Sequence, residues 1–157
     1  MTKQSSEYFQ LHYCYYLELM TATFHGRADK LMTAIQLISG TAVFANTGLE
    51  WLFAFPVVVI ATIQLVWQPA IIAERASVQS RQYGELLYAE DELSPQFIAQ
   101  KLKALHHSDS TTFGSLLNPA YKRAAIACGR VDDVTSASKK NFSLGSQVVC
   151  HVNHKSL

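Results

Sequence analysis

Residues 31–73 read LMTAIQLISGTAVFANTGLEWLFAFPVVVIATIQLVWQPAIIA, and Glu50 is the single ionisable side chain among these 43 positions. A soluble helix of this length would carry charges on its outer face at helical period, and none occur here apart from Glu50. The polar break Asn46-Thr47-Gly48 divides the stretch into two apolar segments joined by a tight turn. The reading is a helical hairpin across a bilayer. A buried hairpin inside a soluble helical bundle is the competing reading, because forty-odd apolar residues could also form a core.

The two segments differ in strength. Leu31 to Ala45 is uncharged for 15 residues, roughly 22 Å of helix against a hydrocarbon core of about 30 Å. Extension to Gly48, with Arg27 and Lys30 snorkelling to the interface, makes a thin crossing feasible. Residues 51–73 cover roughly 35 Å, and Trp51 and Trp67 lie about 24 Å apart, as two aromatic belts would. Pro56 is expected to kink this helix and Pro69 to mark its exit. Arg27 and Lys30 before the first span, and Arg75 and Arg81 after the second, place both termini in the cytoplasm.

The rest of the chain has ordinary composition. The length of 157 residues and net charge of +1, with a mean hydropathy of +0.08 raised by the central stretch, describe one integral unit with water-compatible flanks. Lys and Arg are dispersed, so no nucleic acid partner is expected. Cys14, Cys128 and Cys150 are an odd number at wide spacing, which argues against a disulfide framework. About thirty mostly polar residues precede the first apolar segment, so a cleaved signal peptide is not expected and the first span would direct its own insertion.

Helical periodicity organises the flanks. Phe9, Tyr13, Tyr16, Met20 and Phe24 form one apolar stripe, and Val78, Tyr83, Leu86, Leu87 and Leu93 another. Packing residues 5–30 antiparallel against 74–93 would continue the hairpin as a two-helix stalk. Four of the seven tyrosines fall between Tyr8 and Tyr16, where packing explains them better than an aromatic recognition site. Ser94-Pro95 signals a helix start with Phe97, Ile98, Leu102 and Leu105 on one face, His107 to Thr112 reads as a turn, and Asn118-Pro119 opens a last helix stopping at Gly129. The expected fold is therefore all-α: an N-terminal cytoplasmic helix over 1–30, a first transmembrane helix and turn over 31–48, a second over 49–73, cytoplasmic helices over 74–130 and a disordered tail over 131–157, with a short strand near 147–151 as an option.

The chemistry with most to say lies inside the spans. Thr33, Gln36 and Gly40 share one helical face, as do Val57, Ala61, Gln64 and Gln68. The two glutamines Gln36 and Gln64 fall at similar depth in antiparallel spans and could bond directly. These stripes are either packing surfaces, where small residues allow close approach and amides act as glue, or the lining of a pore assembled from several copies. The chain is not expected to be an enzyme or to hold a cofactor or metal. Cys150-His151-x-x-His154 matches no closed zinc spacing, adjacent His106 and His107 point apart as at a solvated helix end, Asp132-Asp133 is equally bland, and no phosphate loop or nucleophile elbow occurs.

The helix closing at Arg27-x-Asp29-Lys30, the two closely spaced spans, Tyr83-Gly84-Glu85-Leu86-Leu87 and the last helix from Leu117-Asn118-Pro119-Ala120-Tyr121 to Gly129-Arg130 together resemble SLATT-type proteins and related small prophage two-span membrane proteins. The resemblance covers roughly residues 8–130. It implies a two-span bacterial or phage effector of conflict systems that oligomerises and forms a pore when triggered, with the trigger supplied by a separate partner or by the cytoplasmic helices. A membrane-anchored scaffold holding a soluble partner on those helices is the alternative.

Overall fold

The computed structural model describes residues 3–43, 48, 50–89, 93–110 and 113–130. The expected tail, with Cys150, His151, His154 and the possible strand at 147–151, lies outside these residues, as do Asn46 and Thr47 of the expected turn. Everything regular among the described residues is helical: α1 is Lys3–Val43, α2 Glu50–Trp67, α3 Pro69–Tyr88, α4 Pro95–Leu105 and α5 Gly114–Ala127, with one 3₁₀ turn at His106–Ser108. The all-α expectation holds. The helices form two compact units, one of Ala22–Glu74 and one of the described residues up to Thr21 and from Arg75.

In the unit of Ala22–Glu74, α1 and its partner run antiparallel. A Cβ on Gly26 would lie 3.8 Å from that of Ala73, and further along, Gln64 meets Thr33. The helix expected to close at Lys30 does not: α1 continues unbroken for 41 residues to Val43. No proline interrupts it, and its two glycines, Gly26 and Gly40, are each tolerated within a helix at about 1 kcal/mol. One helical stretch, Trp51–Tyr88, is long and apolar enough to cross a membrane, and only 6% of its most apolar part is buried within the protein.

That stretch is broken once, at Gln68. Gln68 has φ of 48°, its N–H closes α2 on Gln64 C=O at 3.0 Å, and its own C=O accepts from Ile71 at 3.1 Å and Ile72 at 3.2 Å to start α3. The ring of Pro69 disfavours a right-handed helical residue before it, and here, unlike at Pro56 and Pro119, the preceding residue leaves that region. Pro69 then serves as the first residue of a new helix, where its missing N–H costs nothing. α2 thus ends just before Pro69, where the exit was expected, and Pro69 in addition begins α3; Gln68 is an exposed junction residue between them.

The other unit is built around a core of Leu11, Tyr13, Cys14 and Leu17 from α1, Tyr83 from α3, Ile98 and Leu102 from α4, and Ala120 and Ala124 from α5. Its most buried α1 face is Leu11, Cys14, Glu18 and Thr21, spaced three, four and three. The aromatic stripe expected to be the core face flanks it instead: Tyr13 is buried, Phe9, Tyr16 and Met20 half-buried, and Phe24, in the neighbouring unit, exposed. On α3, Ala76, Gln79, Ser80 and Tyr83 are buried while the expected Val78 is exposed. Polar residues take these central positions because bonding partners await them there.

Helix ends follow local chemistry. The Ser94 side chain accepts from Phe97 N–H and Pro95 opens α4, which buries Ile98 and Leu102. The last helix starts at Gly114, earlier than Asn118-Pro119 suggested, and holds Pro119 inside it. Leu116 and Leu117 pack against the core from that added turn, and the burial offsets the bond lost at proline. Gly129, with φ of 70°, closes the helix: its N–H bonds Ile126 C=O at 3.0 Å and Arg130 N–H bonds Ala125 C=O at 2.7 Å. That pair of bonds is a Schellman motif, which favours glycine at the left-handed position.

Candidate functional site

Two polar clusters stand out, one in each unit. Between the hairpin helices, Gln64 Nε2 donates to Thr33 Oγ1 at 3.3 Å and to Asp29 Oδ1 at 3.4 Å. Thr33 Oγ1 in turn donates back to Asp29 C=O at 2.9 Å, one helical turn earlier. Both amide bonds are long, so each is weak. The expected Gln36–Gln64 pairing is replaced by this one, about a turn nearer to Lys30. The shift follows from the chemistry of the acceptors: a carboxylate and a hydroxyl offer Gln64 better lone pairs than a second amide does.

Other residues of the sequence reading are spread over the same unit. Gln36 and Gly40 are half-buried, and Thr33, Ala61 and Gln68 exposed; Arg27, Lys30, Trp51 and Arg75, the expected interface anchors, are all exposed. Trp67 differs: its indole stands edge-on to buried His25 with ring centres 5.5 Å apart. Thr41 and Thr62 turn their hydroxyls onto Ile38 C=O at 2.8 Å and Val58 C=O at 2.9 Å, which satisfies them without a partner helix.

The second cluster was not foreseen. Tyr83 Oη donates to Asp109 Oδ1 at 2.6 Å, Gln79 Nε2 donates to the same oxygen at 3.2 Å and to Leu105 C=O at 2.8 Å, and His106 Nδ1 lies 3.0 Å from Asp109 Oδ2. His106 Nε2 is 3.3 Å from Gln10 Nε2. A glutamine Nε2 can only donate, so His106 accepts there and carries its proton on Nδ1, toward Asp109. Asp109 thus collects three donors, and Gln79 covers a carbonyl that the end of α4 leaves open. His106 is therefore a half-buried network member rather than the solvated helix end expected of it, while His107 is exposed.

Glu18 reaches this network from α1. Its Oε1 accepts from Ser110 N–H at 2.9 Å, while Oε2 is buried without a hydrogen-bond partner among the described residues. The residue is 2% exposed. Burial pushes its carboxyl up to about 7; the Ser110 backbone N–H and side chain pull the other way, and nearby Asp109 adds to the rise. Burial likewise raises the Tyr83 phenol far above its ordinary range, helped by Cys14 and Asp109, so Tyr83 remains a neutral donor. Among the described residues no group of three or more His, Cys, Asp or Glu is placed to hold a metal ion. One sequence signal could have located the cluster: Glu18 interrupts an otherwise apolar three-four spacing, as His106-x-x-Asp109 follows a helix end.

Compared with models of known protein families, with curated proteins and with solved structures, the chain matches none.

Proposed function

We propose that this protein crosses a bacterial cytoplasmic membrane twice as a helical hairpin, both termini in the cytoplasm, and that it oligomerises to form a pore or otherwise perturb the membrane. This is the action of the SLATT-type conflict effectors that its sequence resembles. The observation that carries the reading is the uncovered apolar surface of the hairpin. Leu65 and Val66 are 75% and 79% exposed, Trp51, Phe55 and Val58 are nearly as open, and Leu31, Leu37 and Ile38 on α1 match them. Leaving each such side chain in water forfeits about 1.5–3 kcal/mol. Summed over eight of them, the loss is about 12–24 kcal/mol, as large as the 5–15 kcal/mol typical of a whole domain or larger. Lipid or neighbouring copies supply the missing contacts.

Arg27 and Lys30 are exposed near the start of the hairpin unit, and exposed Arg75 directly follows its last residue, the positions in the chain that interfacial anchors facing the cytoplasm would take. Gln36, Gly40 and Ala61 take no part in the Gln64 contact and are available to line a pore between copies. The test is membrane potential, read with a potential-sensitive dye during induced expression of the wild type and of Gln36→Leu/Gln64→Leu. Depolarisation by the wild type alone supports a pore with amides in it. Absence of depolarisation by membrane-inserted wild type counts against an unconditional pore.

A second reading, a membrane-anchored scaffold, draws on Phe97, Phe113 and Ile126, which are exposed apolar residues on α4, before α5 and on α5. A scaffold would tolerate leucine at the amides and would lose its soluble partner when Phe97 becomes polar.

A further inference from the structure

The connection from α4 to α5 is tied to α1 at two places, Gln10 and the buried carboxyl group of Glu18. Ser110 N–H donates to Glu18 Oε1 across 92 residues of sequence, and the neighbouring Asp109 and His106 bond to Tyr83 and Gln79 of α3 and to Gln10 of α1. Glu18 is an unusual anchor. It is almost wholly buried, its second oxygen has no partner among the described residues, and no cation pairs with it there. The titratable group beside it is Asp109 of the turn, itself bonded to His106 and to Tyr83 of α3; Cys14 of α1 and Tyr121 of α5 belong to the same core, to which α4 and α5 otherwise add apolar side chains such as Ile98, Leu102, Ala120 and Ala124. A neutral carboxyl suits that setting, and a carboxylate there has only Ser110 to offset its lost hydration.

We propose that Glu18 and the His106–Ser110 turn form a proton-sensitive latch, closed while the Glu18 carboxyl is neutral and loosened when it ionises. Ionisation places a second anion beside Asp109 inside the core, and the least costly response is to expose Glu18 to water by releasing the turn. The latch lies in the unit outside the spans, so it stands whether or not the hairpin conducts. A rise from 4.5 to about 7 for this carboxyl makes opening of the turn about 70-fold more favourable at pH 8 than at pH 5.

Hydrogen exchange of the backbone over 106–110, in the full-length protein in lipid nanodiscs and corrected for the intrinsic pH dependence of exchange, tests this. The wild type should lose protection about 70-fold between pH 5 and pH 8, Glu18→Gln should stay protected at both, and His106→Gln should keep the wild-type slope. Flat wild-type protection, a slope that persists in Glu18→Gln, or one that vanishes in His106→Gln would overturn the latch. Should Glu18→Gln fail to fold, the carboxyl carbon of Glu18 in the wild type, followed by NMR, decides: a midpoint near 7 supports the latch and one near 4.5 excludes it.

Discussion

Tyr83 Oη donates to Asp109 Oδ1 at 2.6 Å, and this contact fastens the turn after α4 to the C-terminal part of α3. Tyr83 is fully buried, so its hydroxyl has no water to fall back on. Tyr83→Phe keeps the ring packed among Leu11, Cys14 and Ile98 but strips one donor from a carboxylate that is half-buried. The expected loss is about 1–3 kcal/mol of unfolding free energy, measured by denaturant titration in mixed micelles.

Glu18→Gln should reveal a pH dependence of opposite sign to the usual acidic group. The folded-state value of about 7 lies above the ordinary 4.5, so the native state binds the extra proton and this stability is fully present below pH 4.5. It is lost as pH rises through about 7. Between pH 5 and pH 8 the advantage of Glu18→Gln over wild type should therefore grow by roughly 2–3 kcal/mol, read from unfolding curves of both proteins at matched pH.

Gly84 marks a close approach of α3 to α1. A Cβ there would sit 3.4 Å from Tyr15 Cε2, a tight contact with a side chain that can shift. Alanine regains about 1 kcal/mol of helix propensity and should leave thermal stability nearly unchanged, whereas Gly84→Ile forces Tyr15 aside and should cost about 1–3 kcal/mol.

Gln64 and Thr33 should couple weakly. Their 3.3 Å bond is of the kind that contributes about 0.6 kcal/mol between membrane helices. A double-mutant cycle of Gln64→Leu and Thr33→Val in bicelles should return a coupling of about that size, and a coupling near zero would show that the two side chains do not meet in lipid.

How much of this was legible in the sequence depended on whether a signal was local. The Ser94-Pro95 start and the Gly129 stop were readable because each is decided within one helical turn. The end of α2 near Pro69 was readable, but the left-handed turn at Gln68 and the helix that restarts after it were not, because Pro56 and Pro119 sit inside helices without such a break. The start of α5 was missed because Pro119 looks like an N-terminus until Leu116 and Leu117 find a core to cover. Face assignment on α1 failed for a different reason: the stripe was drawn through aromatic and apolar residues alone, and only the distant Ser110 makes burial of Glu18 tolerable. The cluster of Tyr83, Gln10 and the His106–Asp109 pair joins three segments, and no spacing rule connects one segment to another.

The central claim is that residues 31–73 cross a bilayer twice, and reporter fusions test it most directly. Alkaline phosphatase fused after Gly48 and green fluorescent protein fused after Arg130, each expressed in bacteria, should give an active phosphatase outside the cytoplasmic membrane and a fluorescent protein in the membrane fraction. A chain recovered in the soluble fraction, or an inactive phosphatase at Gly48 beside a fluorescent fusion at Arg130, would contradict the double crossing.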